Sequence, residues 1–452
     1  RSPPPPPPLP PLSMAAAQHE VVLIDAVRTP IGRARRGSLS STLPDELLFT
    51  VLEALRRRNS LEPRQIGDVA VGNVSLSGSY ALAARTAMLR AGYSHETPVY
   101  AVNRQCASGL QALANIAASI AAGEIEIGVA AGVESMSLSG GPADAELPPM
   151  SIEAVGAHPL AASCLTPMGI TAENVASRYG ISREQQDAMA VRSHAAALAA
   201  QESGAFDDEL VPVAVPVGGE GAHGATRLVS KDDGPRTGTT MEVLARLRPV
   251  FQPEGGTVTA GTSSQVRTRP RSGARPRRVC EDLPTLSLTF PVPGHDATAR
   301  LQVSDGAAAV LLMSRAKAVA LGLRPLATLR SFRAVGVLPD EMGVGPAVAI
   351  PAALAAAGVS LEDVDVFEIN EAFAAQAVYC ARKLGIAEDK LNPLGTWAPC
   401  HGPRHPLSAT LCQARERLPA SRVVALSASA PCRACRRRHR SRTSPGLHGR
   451  SH

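Results

Sequence analysis

The sequence predicts an α/β fold of two similar halves, the first interrupted by an irregular excursion. Three observations predict it. Short apolar strands alternate with amphipathic helices over residues 21–136 and again from Ser304. Each half contains a strand that runs into an Asn and then a helix, Asn103 in the first and Asn370 in the second, a weak internal duplication. Gly-Pro loops with a few helices fill about residues 137–250. Strand–helix alternation implies parallel β-α-β units with the sheet covered on both faces.

The elements follow in order. VVLIDAV (21–27) has the length and β-branching of a buried strand. PDELLFTVLEALRRR (44–58) places Leu47, Leu48, Val51, Leu52 and Leu55 on one face, the stripe of an amphipathic helix. DVAVGNV (68–74) reads as a strand, YALAARTAMLRAG (80–92) as a helix and TPVYAV (97–102) as a strand. ASGLQALANIAASIAAG (107–123) is an Ala-rich helix closed by Gly123, and EIGVAAGVESM (126–136) a further strand with a turn. In the excursion, Ser182 and Gln185 form a capping box for a helix over 181–204. In the second half GAAAVLL, LATLRSFRAVGV and DVDVFEI (363–369) read as strands. RAKAVALGL, VAIPAALAAAG and NEAFAAQAVYCARKLG (370–385) read as helices.

Composition excludes several classes. Apolar residues make up 44% of the 452, enough for a core, but aromatics are 3%, so Ala, Val, Leu and Gly must fill it. The longest apolar runs are too short to span a bilayer. Eight irregularly spaced cysteines form no disulfide framework and point to a reducing compartment. The net charge of +6 is concentrated: residues 396–452 carry +10 and 267–303 carry +4, leaving −8 on the other 358. Neither basic segment has a helical stripe or interleaved aromatics, so no nucleic-acid partner is predicted.

Three stretches differ from the rest. Residues 1–19 open with polyproline, an extended tail, and Met14 reads as the true start. Residues 267–303 are Arg- and Pro-rich, and deleting them joins TAGTSSQV to SDGAAAVLLM without a seam. An unspliced intron or a gene-prediction error would account for that. After Gly395 helical periodicity ends; four of the eight cysteines, the only Trp and CRACRRRHRSR follow, which reads as a frameshifted basic tail. The domains are thus 1–19, 20–266 with its loop unit, 267–303, 304–395 and 396–452.

Cys106 sits where a buried strand passes into a helix N-terminus, which favours thiolate over thiol and can hold an oxyanion. Ala107, Ser108 and Gly109 leave room for a substrate at the sulfur. These residues carry a resemblance. VNRQCASGLQA closely resembles the nucleophile motif of the thiolases, and EINEAFAAQA their second characteristic block. TAGTSSQV–SDGAAA is similar to a third and PMGITAENVA to a fourth. The likeness runs through 20–266 and 304–395. SREQQDAMA, TTMEVLARLRPVF and GVGPAVAIPAAL resemble the degradative, peroxisomal 3-ketoacyl-CoA thiolases within the family.

The resemblance implies a five-layered αβαβα fold with a loop domain inserted in the first half. It implies thiolytic cleavage of 3-ketoacyl-CoA by CoA in fatty-acid β-oxidation, through a Cys106 acyl-enzyme with ping-pong kinetics. Asn370 would position a water for the oxyanion, Ser264 would contact CoA and Met168 would line the acyl site. Thr262 stands where the family's AGN-x-S has Asn. Coenzyme A is a substrate and no separate cofactor is implied. The protein would be a peroxisomal homodimer with acyl-CoA and CoA as partners, no nucleic acid and no membrane span. The chain ends Gly-Arg-Ser-His, and no targeting signal is found at either end.

The departures follow Gly395. GTWAPCHGPRHPLSAT replaces the family's GGAIALGHPLGATG, so the base and oxyanion His is carried over to His405, displaced by three residues, and not to His401. Cys432 and Cys435 lack the Gly of the family's C-x-G block, leaving no match for its second Cys. With Cys400, His401 and His439 they lack zinc-finger spacing, so no metal is predicted. The second reading is therefore a catalytically impaired thiolase fold that at most binds acyl-CoA or a partner subunit.

Overall fold

The computed structural model describes residues 20–76, 80–139, 150–216, 226–263 and 304–395, together with the backbone of 410–414 and 422–431. The Pro-rich tail, the 267–303 insert, Ser264, His405 and the Cys/His set of 400–439 outside those two strands lie outside the described residues.

β1 (Val21–Arg28) is followed by the short β2 (Gly32–Arg33) and α1 (Pro44–Arg58). All five stripe residues of α1, from Leu47 to Leu55, are fully buried. Then come β3 (Asp68–Gly72), α2 (Ala81–Arg90), β4 (Val99–Val102), α3 (Ser108–Ala121) and β5 (Ile127–Ser135). The excursion holds α4 (Ile152–Gly156), α5 (Pro159–Ser163), α6 (Met168–Tyr179), α7 (Arg183–Glu202), the β6–β7 hairpin (Val213–Pro216, Thr226–Val229) and α8 (Met241–Ala245). The capping box is formed: Ser182 Oγ accepts from Gln185 N–H and Gln185 Oε1 accepts from Ser182 N–H. The second half contains β8 (Ser304–Ser314), α9 (Arg315–Ala320), β9 (Ala327–Val337), α10 (Gly345–Ala357), β10 (Val366–Ile369) and α11 (Ala374–Leu384). β11 (Thr410–Ala414) and β12 (Arg422–Pro431) follow.

The strands run β10-β11-β12-β9-β1-β8-β5-β3-β4, with β2 alongside β8. Only part of this sheet is parallel. β3 pairs parallel with β4 and β5, the three linked in order by the helical crossovers α2 and α3, and β9 pairs parallel with β12. β8 is antiparallel to both β1 and β5. It is reached after the long excursion, so no helical crossover dictates its direction. The tail also departs from the sequence reading, which has no strand beyond Gly395: β11 and β12 lie between β10 and β9.

Period-two alternation sorts side chains between layers. On β8, Ala307, Ala309, Leu311 and Met313 join the α1 and α2 cluster, while Val310 and Leu312 join the α3 cluster on the other face. With neighbours on both edges and helices on both faces, all eleven residues of β8 are buried. On β9 a bulge at Arg330 re-aims the chain. Leu329 and Phe332 therefore face α3, while Ser331 Oγ donates to the Ala353 carbonyl of α10 at 2.8 Å. The result is five layers: α1/α2, first sheet half, α3, second sheet half, α10.

Arg28, at the end of β1, latches the loop unit to this stack. Its guanidinium reaches Glu209 at 2.5 Å and Asp232 at 2.8 and 3.1 Å, and lies over the Phe206 ring.

A buried carboxylate pair closes the far end of β5. Glu134 accepts from Val74 N–H at 3.0 Å, and Asp305 accepts from Ser137 N–H at 2.9 Å. Burial, opposed by the Val74 and Ser75 amides and aided by the Asp305 charge, pushes the Glu134 carboxyl up to about 7. Between pH 4.5 and 7 the folded chain thus holds a proton that the unfolded chain has lost. Stability supplied by neutral Glu134 is present below pH 4.5 and falls as pH rises to 7, by on the order of 3 kcal/mol. Glu134→Gln should flatten this fall in urea titrations across that window. Equal slopes in parent and variant would show a carboxylate ionised throughout.

Candidate active site

The turn between β4 and α3 is held in a strained form. Gln105 has a positive φ of 50°, a conformation costly for a residue with a Cβ. Local bonds hold it there. Gln105 N–H donates to Asn103 Oδ1 at 2.9 Å, and Asn103 Nδ2 donates to the Val74 carbonyl at 3.2 Å. The buried Ser108 hydroxyl accepts from Arg104 N–H at 2.9 Å and donates to the Gln105 carbonyl at 2.5 Å. Gly72 lets β3 approach this turn: a Cβ there would lie 2.4 Å from the Ser108 carbonyl carbon. Cys106 follows Gln105 and lies two residues before α3 begins.

Cys106 packs, half-buried, on an apolar cluster of Ala172, Val258, Ala372 and Phe373, beside Met168 and Phe251. Met168 opens α6. Next to it, a Cβ on Gly169 would enter the Phe251 ring at 2.1 Å, so only Gly admits that ring. Phe251 meets Phe373 edge-on at 6.0 Å. Buried Glu173 holds the intervening loop by accepting from Thr257 N–H at 2.9 Å and Val258 N–H at 3.0 Å.

The second loop comes from β10. The sequence reading begins its helix at Asn370, but α11 begins at Ala374 and residues 370–373 form a loop. Tertiary pairing overrides local propensity here: Ser263 bridges to Phe373, and Ala374 N–H donates to the Thr262 carbonyl at 2.8 Å. Thr262, in the position of the family's Asn, closes its own turn: its Oγ1 accepts from Thr259 N–H at 2.9 Å. Half-buried Asn370 makes no side-chain hydrogen bond among the described residues, leaving its amide free for a ligand.

Cys106, Met168 and the loop of Asn370 are thus brought together, while Ser264 and His405 lie outside the described residues. Sequence reasoning missed Phe251, Phe373 and Gln105, although each lies inside a block it quotes, and it read Ser108 only as leaving room at the sulfur, whereas its hydroxyl ties the turn. No local pattern marks Asn392, whose side chain bonds Ile369 and Glu371. No group of three or more His, Cys, Asp or Glu among the described residues could hold a metal ion.

A thiol beside a helix start, in an apolar half-buried recess, suits acyl transfer through a thioester. Cys380 is unsuited to it: burial pushes its thiol up to about 12. Iodoacetamide at pH 7 should therefore label Cys106 before Cys164 or Cys380, as read by peptide mapping. Faster labelling of exposed Cys164 would remove Cys106 as the activated thiol.

Two family models cover most of the chain. The one described as "Thiolase, N-terminal domain" matches residues 21–268, and "Thiolase, C-terminal domain" matches residues 323–418. The chain belongs to the thiolase family. The second match continues past Gly395 through β11, in keeping with that strand's place in the sheet. Among relatives, the mouse "3-ketoacyl-CoA thiolase A, peroxisomal" is 48% identical over 84% of this chain and 80% of its own length. The human "3-ketoacyl-CoA thiolase, peroxisomal" is 45% identical over the same shares. Among solved structures, the dimeric peroxisomal thiolase of Saccharomyces cerevisiae aligns with a TM-score of 0.71 at 38% identity, covering 85% of this chain and 87% of that one. The Bacillus anthracis acetyl-CoA acetyltransferase aligns with a TM-score of 0.67 at 34% identity, covering 86% and 89%.

Proposed function

We propose that the chain is a 3-ketoacyl-CoA thiolase of fatty-acid β-oxidation. The carrying observation is the convergence of Cys106, Met168 and the Asn370 loop on one apolar recess. Cys106 Sγ attacks the 3-keto carbon, the bond between C2 and C3 breaks, and the departing acetyl-CoA enolate takes a proton at C2. The thiolate of free CoA then attacks the Cys106 thioester, releasing a shortened acyl-CoA and restoring the sulfur. In this reading Asn370 holds a water against the developing oxyanion, Met168 lines the acyl chain, Ser264 contacts CoA and His405 serves as base. CoA enters as substrate, without a separate cofactor. The peroxisomal names of the relatives and the dimeric yeast structure support a peroxisomal homodimer.

A second reading is favoured by the residues after Gly395. There Gly-His-Pro is replaced and no Cys-x-Gly follows, so the chain would be catalytically impaired and at most bind acyl-CoA or a partner subunit. One assay separates the two: purified chain with acetoacetyl-CoA and CoA, following loss of the 3-keto enolate absorbance and the mass of Cys106. Turnover on the order of 10 s⁻¹ supports the thiolase reading. Absence of such turnover, with or without a Cys106 thioester, supports the second.

A further inference from the structure

Asn370 stands between two residues that are each held from elsewhere in the chain. On one side, Ile369 N–H donates to Asn392 Oδ1 at 2.7 Å, and the Ile369 carbonyl accepts from Asn392 Nδ2 at 3.0 Å. On the other, Glu371 Oε1 accepts from the same Nδ2 at 2.7 Å, and Glu371 Oε2 accepts from the Ser193 hydroxyl at 2.6 Å. One amide therefore spans both neighbours of Asn370. Asn392 is itself pinned. It is 2% exposed, its N–H donates to the Phe367 carbonyl at 2.8 Å, and its φ of 46° is one that Asn tolerates better than most residues.

The remaining contact comes from the loop unit. Ser193 lies on α7, buried, 178 positions from Glu371 in sequence. Gly395 packs against this part of α7, where a Cβ would come within 2.3 Å of the Ser193 carbonyl. No Lys or Arg pairs with Glu371 among the described residues. The half-buried carboxylate is therefore held by two neutral donors, and loss of either changes where it rests.

We propose that Ser193 is a positioning residue: through Glu371 and Asn392 it sets the backbone on both sides of Asn370 and so aims the Asn370 amide into the Cys106 recess. From the loop unit, Ser193 thereby sets the geometry of the second catalytic loop without itself touching substrate. Ser193 is separate from the cluster that packs on Cys106. A displaced Asn370 amide would weaken oxyanion stabilisation while leaving the acyl and CoA contacts in place, so the loss falls on rate and not on binding.

The proposal rests on the thiolase reading, and the experiment separates the two. Full-length parent, Ser193→Ala and Ser193→Thr are mixed with acetoacetyl-CoA, and Cys106 acylation is followed by quenched-flow mass spectrometry. Acylation of the parent tests the function; the ratio of variant to parent tests the role of Ser193. Ser193→Ala should lower the limiting rate about 10–100-fold with the half-saturating concentration changed less than about twofold, and Ser193→Thr, which keeps the hydroxyl, should recover most of the rate. A second readout needs no chemistry: amide exchange in residues 370–373 should rise about tenfold or more in Ser193→Ala, with β8 unchanged. Equal limiting rates, a defect confined to half-saturation, or unchanged exchange at 370–373 would overturn the proposal.

Discussion

Replacing Cys106 by Ala should abolish thioester formation and lower any thiolytic turnover by about 10⁴–10⁶-fold, the scale seen when a covalent nucleophile is removed. The reason is local. Cys106 follows a strained residue, at the start of α3, beside Met168 and the Asn370 loop. Cys380 is fully buried with its thiol raised to about 12, and Cys164 lies on the loop unit, its Sγ 3.5 Å from the Leu160 carbonyl. Neither belongs to the cluster around Cys106, so neither replaces it. Cys106→Ser should lose nearly as much, because a hydroxyl in the same place is a far weaker nucleophile at neutral pH. Acetoacetyl-CoA cleavage and intact-mass analysis of the acylated chain measure both. Turnover within tenfold of the parent in Cys106→Ala would assign the chemistry to another residue.

Arg28→Ala should destabilise the chain by about 3–5 kcal/mol, the range for breaking a buried ion pair from one side. Arg28 is fully buried, and it meets Asp232, whose side chain is 1% exposed. Asp232 Oδ1 also accepts from Ile31 N–H at 2.8 Å, so the charge cannot simply turn to solvent. The buried carboxylate left behind is the main cost, with the lost contact to Phe206 adding to it. Arg28→Ala with Asp232→Ala should therefore cost less than the sum of the single changes. Urea unfolding of the four proteins gives the cycle. A single-variant loss under about 1 kcal/mol, the range of a solvated pair, would refute the latch.

Legibility followed the range of the interaction. The stripe from Leu47 to Leu55 and the Ser182–Gln185 box are contained within one helix turn or a few, so periodicity and residue type express them directly. Cys106 and Met168 were legible for another reason: each lies in a block whose residue types mark it. The start of α11 was misplaced because Asn, Glu, Ala and Phe offer no stop signal. Bonds from Thr262, Ser263 and Asn392 hold that stretch out of the helix.

By itself the sequence determined the α/β class, the helix faces, the two-halved plan and the position of Cys106 between a strand and a helix start, since all rest on local period or local motif. Only the tertiary structure decided the direction of β8, the place of β11 and β12 in the sheet and the bulge at Arg330. The same holds for the Arg28 latch across 204 positions and the Ser193–Glu371 bond across 178. Such contacts leave no periodic trace. They arise because a buried charge or hydroxyl must find a partner wherever the packed chain brings one near, and the identity of that partner is settled only when the layers close.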